Sequence, residues 1–196
     1  MAPKPPTFEA PRRSRGVPRY AEWLLGYNPT MWQGSVVSLH IAAEAGASLA
    51  TVADVRAVAG RGLEGDRYFS GRGHYSDAPS RGGREVTLIE MEAVEALLDG
   101  LLDAEGTSAP LKLTAAETRR NIATRGVPLN HLVNRPFRVG EVLLRGTRLC
   151  EPCRYLDGLT RPGMMALLIH RGGLRAQVLT GGIIRVGDTI QPEESS

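Results

Sequence analysis

The sequence is poor in lysine, in cysteine and in long hydrophobic runs. Lys4 and Lys112 are the only lysines among 24 basic residues, and the net charge is only +3. A charge this small argues against nucleic acid as a partner. No run approaches the roughly 18 apolar residues of a membrane span, and residues 1–16 lack the apolar core of a signal peptide. We therefore expect a cytoplasmic protein that binds neither nucleic acid nor membrane.

The composition changes near residue 34. Residues 1–33 begin with a segment rich in proline and arginine and continue with scattered aromatic residues. Proline-rich polar segments seldom build a core, whereas aromatic rings bury large areas. We expect residues 1–33 to form an arm that is partly disordered or packed on the body. Residues 34–192 should form one domain.

Short β-branched and apolar segments separated by glycine dominate the rest of the chain. They predict six to eight strands, including SVVSLHIA, VADVRAVAG, REVTLIE, the two halves of PFRVGEVLLRGTRL, and two strands within LRAQVLTGGIIRVGDTI. Helical spacing of apolar residues predicts a helix over EMEAVEALLDGLLD, residues 90–103. Thr114 and Glu117 form a capping-box pattern for a second helix, and GMMALLIHR predicts a third. The fold should be mainly β, as in a barrel or sandwich. The glycine-rich segment 60–83 is a candidate lid or docking loop.

Both cysteines lie in RLCEPCRYLDG, as Cys150 and Cys153. A zinc site would need four ligands, and the four histidines lack paired spacing. A thioredoxin-like pair would need a βαβ context with the motif opening a helix, which the flanking glycine hairpins do not indicate. Two buried structural thiols remain an alternative. Arg148 and Arg154 favour chemistry instead, because nearby cations lower the pKa of a thiol.

The ordered set GRGLEGDRY, REVTLIE, RRNIATRGVPLNHL, FRVGEVLL, RLCEPC and GGLRAQVLTGGIIRVGD resembles the MOSC domain, the family named after the C-terminal domain of molybdenum cofactor sulfurases. The similarity extends over roughly residues 34–190. It implies a β-barrel with a few short α-helices and one essential cysteine, which corresponds to Cys153. Cys150 would then be an auxiliary thiol.

The resemblance implies two uses of Cys153. It could bind a molybdopterin-type cofactor as the molybdenum ligand and support reduction of N-hydroxylated compounds. Alternatively, it could carry a persulfide received from a cysteine desulfurase. A soft thiolate suits molybdenum, and guanidinium groups suit an anionic phosphate. The residues predicted to bind the cofactor are Arg119, Arg120, Asn121, Arg67 and Arg84.

The enzyme class stays open between a molybdenum-dependent oxidoreductase and a sulfurtransferase-like protein. The chain has no ferredoxin-type cysteines, flavin motif or lysine poised for pyridoxal phosphate (PLP). The expected partners are therefore an external reductase, or a cysteine desulfurase that supplies the PLP. A non-enzymatic module that docks a partner is a further alternative, and the sequence is compatible with a homo-oligomer.

Overall fold

The computed structural model describes residues 32–78, 82–97, 101–102, 108–109, 113–160 and 162–193. The predicted arm falls almost wholly outside these residues. The domain boundary at residue 34 stays a prediction, although the first strand begins there.

The described residues form a mainly β fold built on a closed barrel of seven strands. The barrel runs in the order β13, β9, β10, β11, β5, β8 and β1, and pairing of β1 with β13 closes it. β2 extends this sheet from β1. The bounds are β1 (Gly34–Ile41), β2 (Ala50–Val52), β5 (Val86–Glu90), β8 (Ile122–Arg125), β9 (Pro136–Val139), β10 (Val142–Leu149), β11 (Leu174–Thr180) and β13 (Thr189–Pro192).

Most neighbouring strands of the barrel are antiparallel, and a short turn joins β9 directly to β10. Among the described strands only β5 and β8 pair in parallel. Their connection therefore has to run from one end of the barrel to the other, and it carries the first described helix, Met91–Glu95. Two smaller sheets complete the fold: β12–β3–β4 and β6–β7. Their strands are β3 (Asp54–Val58), β4 (Gly62–Leu63), β6 (Leu101–Leu102), β7 (Ser108–Ala109) and β12 (Gly182–Arg185).

The helices are shorter than the sequence predicts. Among the described residues they are α1 (Met91–Glu95), α2 (Arg154–Leu159) and α3 (Met164–Leu167), with 3-10 turns at Ala116–Thr118 and Leu129–Leu132. The prediction of a helix to residue 103 is wrong, because Leu101–Leu102 forms a strand with Ser108–Ala109. The apolar spacing was nevertheless informative, since Val94 and Leu97 are buried in the core.

Two further predictions need correction. The capping box exists, with the Thr114 hydroxyl donating to Glu117 Oε2 at 2.8 Å, but it opens only a single 3-10 turn. The segment LRAQVLTGGIIRVGDTI contains three strands instead of two, because β12 leaves the barrel to pair with β3. VADVRAVAG is likewise divided between β2 and β3.

The apolar side chains form two clusters. The first fills the barrel and contains the large buried residues Leu39, Leu88, Phe137, Leu144 and Ile190. The second lies where the helices pack on the sheet and contains Ile89, Val94, Leu113, Ala123, Leu156, Met164 and Leu168. Leu156 matters for the site, because its burial fixes α2 directly after Cys153. Full burial of a leucine contributes about 1.5–3 kcal/mol.

Candidate functional site

A cleft beside the barrel brings both cysteines together with Arg67, Arg119 and Arg120. It is lined by Arg67, Tyr68, His74, Tyr75, Thr87, Arg119, Arg120, Cys150, Glu151, Pro152, Cys153, Tyr155, Leu156 and Arg175. These residues come from the glycine-rich loop, from β5, from the turn before β8, from β11, from the segment between β10 and α2, and from α2. The barrel thus gathers residues that are more than 100 positions apart in the sequence.

Cys153 is the accessible thiol of this cleft. It is half-buried, and its extended backbone immediately precedes α2, where its carbonyl accepts a hydrogen bond from the Leu156 amide at 2.9 Å. The Tyr75 hydroxyl lies 3.7 Å from Sγ. The hydrogen bond with Cys153 raises the pKa of Tyr75, and burial raises it further by a smaller amount. The sequence patterns did not indicate α2, and the expected absence of a helix was one ground against a thioredoxin-like redox pair. The helix exists, although it follows an antiparallel strand instead of a βαβ unit.

Cys150 has a different environment. Its side chain is buried, and its amide donates to the Gly173 carbonyl at 2.7 Å. Gly173 has φ +91°, and a Cβ there would lie 1.9 Å from the Leu88 carbonyl oxygen. Only glycine fits this close approach. Cys150 is therefore held against the barrel wall while Cys153 faces the cleft.

Arg120 braces the segment that carries both thiols. Its side chain is buried and donates to three carbonyls: Nε to Gly172 at 2.7 Å, Nη1 to Thr118 at 2.8 Å and Nη2 to Cys150 at 2.8 Å. The structure places Arg120 at the cleft wall, with these donors directed at backbone, and its role in cofactor binding stays a prediction. No carboxylate among the described residues forms an ion pair with it, so its charge contributes a positive potential to the cleft.

Asn121 belongs to a buried network behind the cleft. Its Oδ1 accepts from the Thr87 amide and hydroxyl, and its Nδ2 donates to the His40 carbonyl and to Asp66 Oδ2, both at 3.1 Å. Each hydrogen-bonding group of the amide has a partner. The described contacts thus make Asn121 a support for the loop that starts at Asp66, and it does not line the cleft.

Arg67 and Arg119 line the cleft as charged side chains. Arg67 Nη1 lies 3.1 Å from Asp66 Oδ2 in a buried ion pair. Arg119 is half-buried, adopts the left-handed backbone conformation (φ +63°) and donates to the Ala47 carbonyl at 2.9 Å. Burial, and then the charge of Arg67, lower the pKa of Arg119. Two cations held this close favour an anion between or beside them.

Arg84 does not line the cleft. Its guanidinium donates to the carbonyls of Tyr75 and, at 2.8 Å, of Ala78. It therefore fixes the loop that carries Tyr75 toward Cys153. That Arg84 binds the cofactor stays a prediction; the two described hydrogen bonds go to backbone carbonyls of the loop.

Sequence reasoning missed Arg175 and the aromatic side chains of the cleft. Arg175 lies on β11 directly opposite Arg148 of β10. His74 and Tyr155 stack with ring centroids 3.8 Å apart and planes 9° apart, and Tyr75 meets both rings edge-on. The alternating pattern of β11 could have indicated that Arg175 points outward. Nothing in the sequence indicates that residue 74 meets residue 155.

The cleft is strongly cationic for a chain of nearly balanced charge. Four arginines line it, Arg67, Arg119, Arg120 and Arg175, against the single carboxylate of Glu151. Glu151 contacts His170, through the His170 amide at 3.1 Å and the ring at 3.3 Å. Among the described residues no group of three or more His, Cys, Asp or Glu side chains could hold a bare metal ion. The arrangement suits an anionic ligand that presents a soft atom to one thiol.

These features define a class of protein: a closed, mainly antiparallel β-barrel with a thiol-centred, arginine-lined cleft at its side. The family model of the MOSC domain matches residues 70–191, more than half of the chain. The chain therefore belongs to the MOSC domain family, some members of which bind a molybdenum cofactor.

Solved structures share the fold at low sequence identity. The YuaD protein from Bacillus subtilis superposes with a TM-score of 0.61 at 17% identity, with 82% of this chain and 97% of that chain covered. YiiM from Geobacillus stearothermophilus gives 0.58 at 15% identity, with 82% and 75% covered. YiiM from Escherichia coli gives 0.55 at 18% identity, with 85% and 71% covered. At these identities the similarity establishes the fold alone.

No curated protein sequence matches the chain. Within the described residues, no helix has the length and apolar character required to cross a membrane.

Proposed function

We propose that this protein binds a molybdopterin-type molybdenum cofactor in the cleft, with Cys153 as the protein ligand to molybdenum. The observation that carries the proposal is the half-buried Cys153 thiol in a cleft lined by four arginines. A soft thiolate is a preferred ligand of a soft metal centre, and arginine forks bind phosphate oxygens.

The residues present fit such a group. The described residues offer one accessible thiol and no cluster of further metal ligands, as suits a metal that arrives with most of its ligands on the cofactor. Arg67, Arg119 and Arg175 would hold the phosphate, and the aromatic side chains offer flat surfaces for a ring system. Arg120 would act indirectly, by fixing the cysteine segment and by adding positive charge.

When bound, the cofactor would supply a metal that changes oxidation state by two and thereby supports removal of oxygen from an N-hydroxylated compound. The chain's own residues bind and orient. Cys153 would anchor the metal. Arg84 holds the loop that carries Tyr75, whose hydroxyl lies 3.7 Å from the thiol. The described residues contain no second redox group, so the electrons would come from an external reductase.

The proposal is tested by purifying the protein from a host that makes the cofactor and measuring molybdenum and pterin per chain. Near-equal, near-stoichiometric amounts are expected. Arg175→Met should weaken binding at least about tenfold, because loss of a charge-assisted phosphate contact costs about 1.5–3 kcal/mol. Both amounts should therefore fall clearly below those of the wild type. Arg185→Met is the matched control, since Arg185 is exposed on β12 and does not line the cleft. Wild-type protein with neither molybdenum nor pterin would contradict the proposal.

Persulfide carriage is the second candidate, favoured by the accessibility of Cys153 beside a buried Cys150. In that reaction the Cys153 thiolate would attack the terminal sulfur of a desulfurase persulfide. The S–S bond of the donor breaks, and the desulfurase thiolate leaves. Incubation with a cysteine desulfurase and cysteine, followed by intact mass, tests it. A gain of one sulfur on Cys153 in molybdenum-free protein would favour carriage, and no gain would exclude it.

A further inference from the structure

The cleft contains a contact between two aromatic side chains, and its effect on access to Cys153 is separate from the proposed function. The rings of His74 and Tyr155 lie nearly parallel, with 3.8 Å between centroids. Tyr75 meets His74 edge-on at 4.6 Å and Tyr155 at 6.2 Å. Stacked and edge-on pairs of this kind are mutually attractive.

This contact joins two segments that are distant in sequence. His74 and Tyr75 belong to the turn at Gly73–Ser76, whereas Tyr155 lies in α2, two residues after Cys153. The Tyr75 hydroxyl lies 3.7 Å from the Cys153 sulfur, and all four residues line the same cleft. A molecule that approaches Cys153 through this side of the cleft therefore meets the His74–Tyr155 stack.

The backbone on both sides of the stack is held in place. Arg84 donates to the carbonyls of Tyr75 and Ala78, and the Gly73 amide donates to the Ser76 hydroxyl at 2.9 Å. On the other side, buried Leu156 anchors α2. The His74 residue, by contrast, is exposed. Exposed side chains change rotamer within nanoseconds, so the stack can open by rotation of the His74 ring while the loop stays in place.

We propose that the His74–Tyr155 stack is a size filter over Cys153. Closed, it admits small reactants to the thiol; opened by rotation of His74, it admits molecules as broad as a fused ring system. The attraction within an aromatic pair shifts the equilibrium between the closed and open stack by about 2- to 13-fold toward the closed form. This keeps the stack mostly closed, yet a ligand can still displace it. The filter does not depend on molybdenum, so its test is independent of the proposed function.

The test uses the full-length, metal-free chain with Cys150→Ser, so that Cys153 is the one thiol. Second-order rate constants for alkylation are measured with N-ethylmaleimide and with N-(1-pyrenyl)maleimide, which share one reactive group and differ in size. The ratio of the pyrenyl to the ethyl rate constant cancels changes in thiol reactivity. We expect His74→Ala and Tyr155→Ala each to raise this ratio by about 2- to 13-fold.

Conservative variants separate the stack from other effects. His74→Phe and Tyr155→Phe keep both rings, and the ratio should stay within about twofold of the wild-type ratio. His131→Ala removes an exposed histidine outside the cleft and should leave the ratio of rate constants unchanged. Because His74 is exposed, its removal should not unfold the chain. An unchanged ratio in His74→Ala would overturn the proposal, as would an equal rise in His74→Phe.

Discussion

Arg120→Met is expected to destabilise the protein strongly, because it removes the brace of the cysteine segment. Three carbonyls, at Gly172, Thr118 and Cys150, lose their donors. A hydrogen bond from a charged donor is worth about 1.5–3 kcal/mol, and a buried acceptor left unpaired costs about 1–3 kcal/mol. Removing a buried charge returns part of this cost. The net loss in the free energy of unfolding should be about 3–5 kcal/mol.

Equilibrium unfolding in urea measures this loss. Arg119→Met is the matched control: that side chain is half-buried and donates to one carbonyl, at Ala47, so its removal should cost about 1 kcal/mol. A second readout is the alkylation rate of Cys150, which is buried and should react faster once its carbonyl is released. A loss below 1 kcal/mol in Arg120→Met, with Cys150 still protected, would refute the brace.

Three further predictions concern stability. Gly173→Ala should lower the free energy of unfolding in urea by about 3 kcal/mol or more, and Gly163→Ala by about 1 kcal/mol. Both glycines have φ +91°, but only a Cβ at residue 173 would lie 1.9 Å from the Leu88 carbonyl oxygen. Equal losses in the two variants would contradict this close approach. Burial lowers the pKa of His40. The neutral ring therefore stabilises the folded state above the unfolded pKa near 6.5, and the free energy of unfolding falls by up to about 1.4 kcal/mol per pH unit as the pH drops below that value. His40→Gln should flatten this part of the pH profile of stability, and an unchanged slope would contradict the prediction. Asn121→Asp places a second carboxylate where Nδ2 now lies 3.1 Å from Asp66 Oδ2. The free energy of unfolding in urea should fall by about 3 kcal/mol at pH 7 and by less at pH 5, where one of the two carboxyl groups can be protonated. A loss that does not depend on pH would argue against the contact.

The barrel was predictable because strand signals are local. REVTLIE and the two halves of PFRVGEVLLRGTRL carry β-branched and apolar residues between glycines, and the structure has β5, β9 and β10 there. The helices were less predictable. The apolar periodicity of residues 90–103 reflected burial on the sheet, which a five-residue helix followed by a turn satisfies equally well.

The site was predictable only in part. Arg119, Arg120 and Asn121 are adjacent in sequence, yet their side chains reach Ala47, Cys150 and Asp66 respectively. The cause is local: Arg119 takes the left-handed conformation between a 3-10 turn and β8, and this reverses the direction of successive side chains. No residue pattern predicts such a turn. The RRNI motif therefore indicated where the site lies but not the different contacts of its three side chains.

The aromatic contacts depend on tertiary structure alone. His74 meets Tyr155 because Arg84 fixes the loop at one end and Leu156 fixes α2 at the other. The two residues are 81 positions apart in the sequence, so no local rule connects them. Arg175 likewise joins the cleft through the register of β11 against β10.

The role of Cys153 as the molybdenum ligand is tested by measuring molybdenum per chain in Cys153→Ser and Cys150→Ser, each purified from a cofactor-producing host beside the wild type. We expect near-stoichiometric molybdenum in the wild type, loss of at least about nine-tenths of it in Cys153→Ser, and retention of most of it in Cys150→Ser, whose thiol is buried against the barrel wall. Equal molybdenum in the two variants would contradict Cys153 as the ligand.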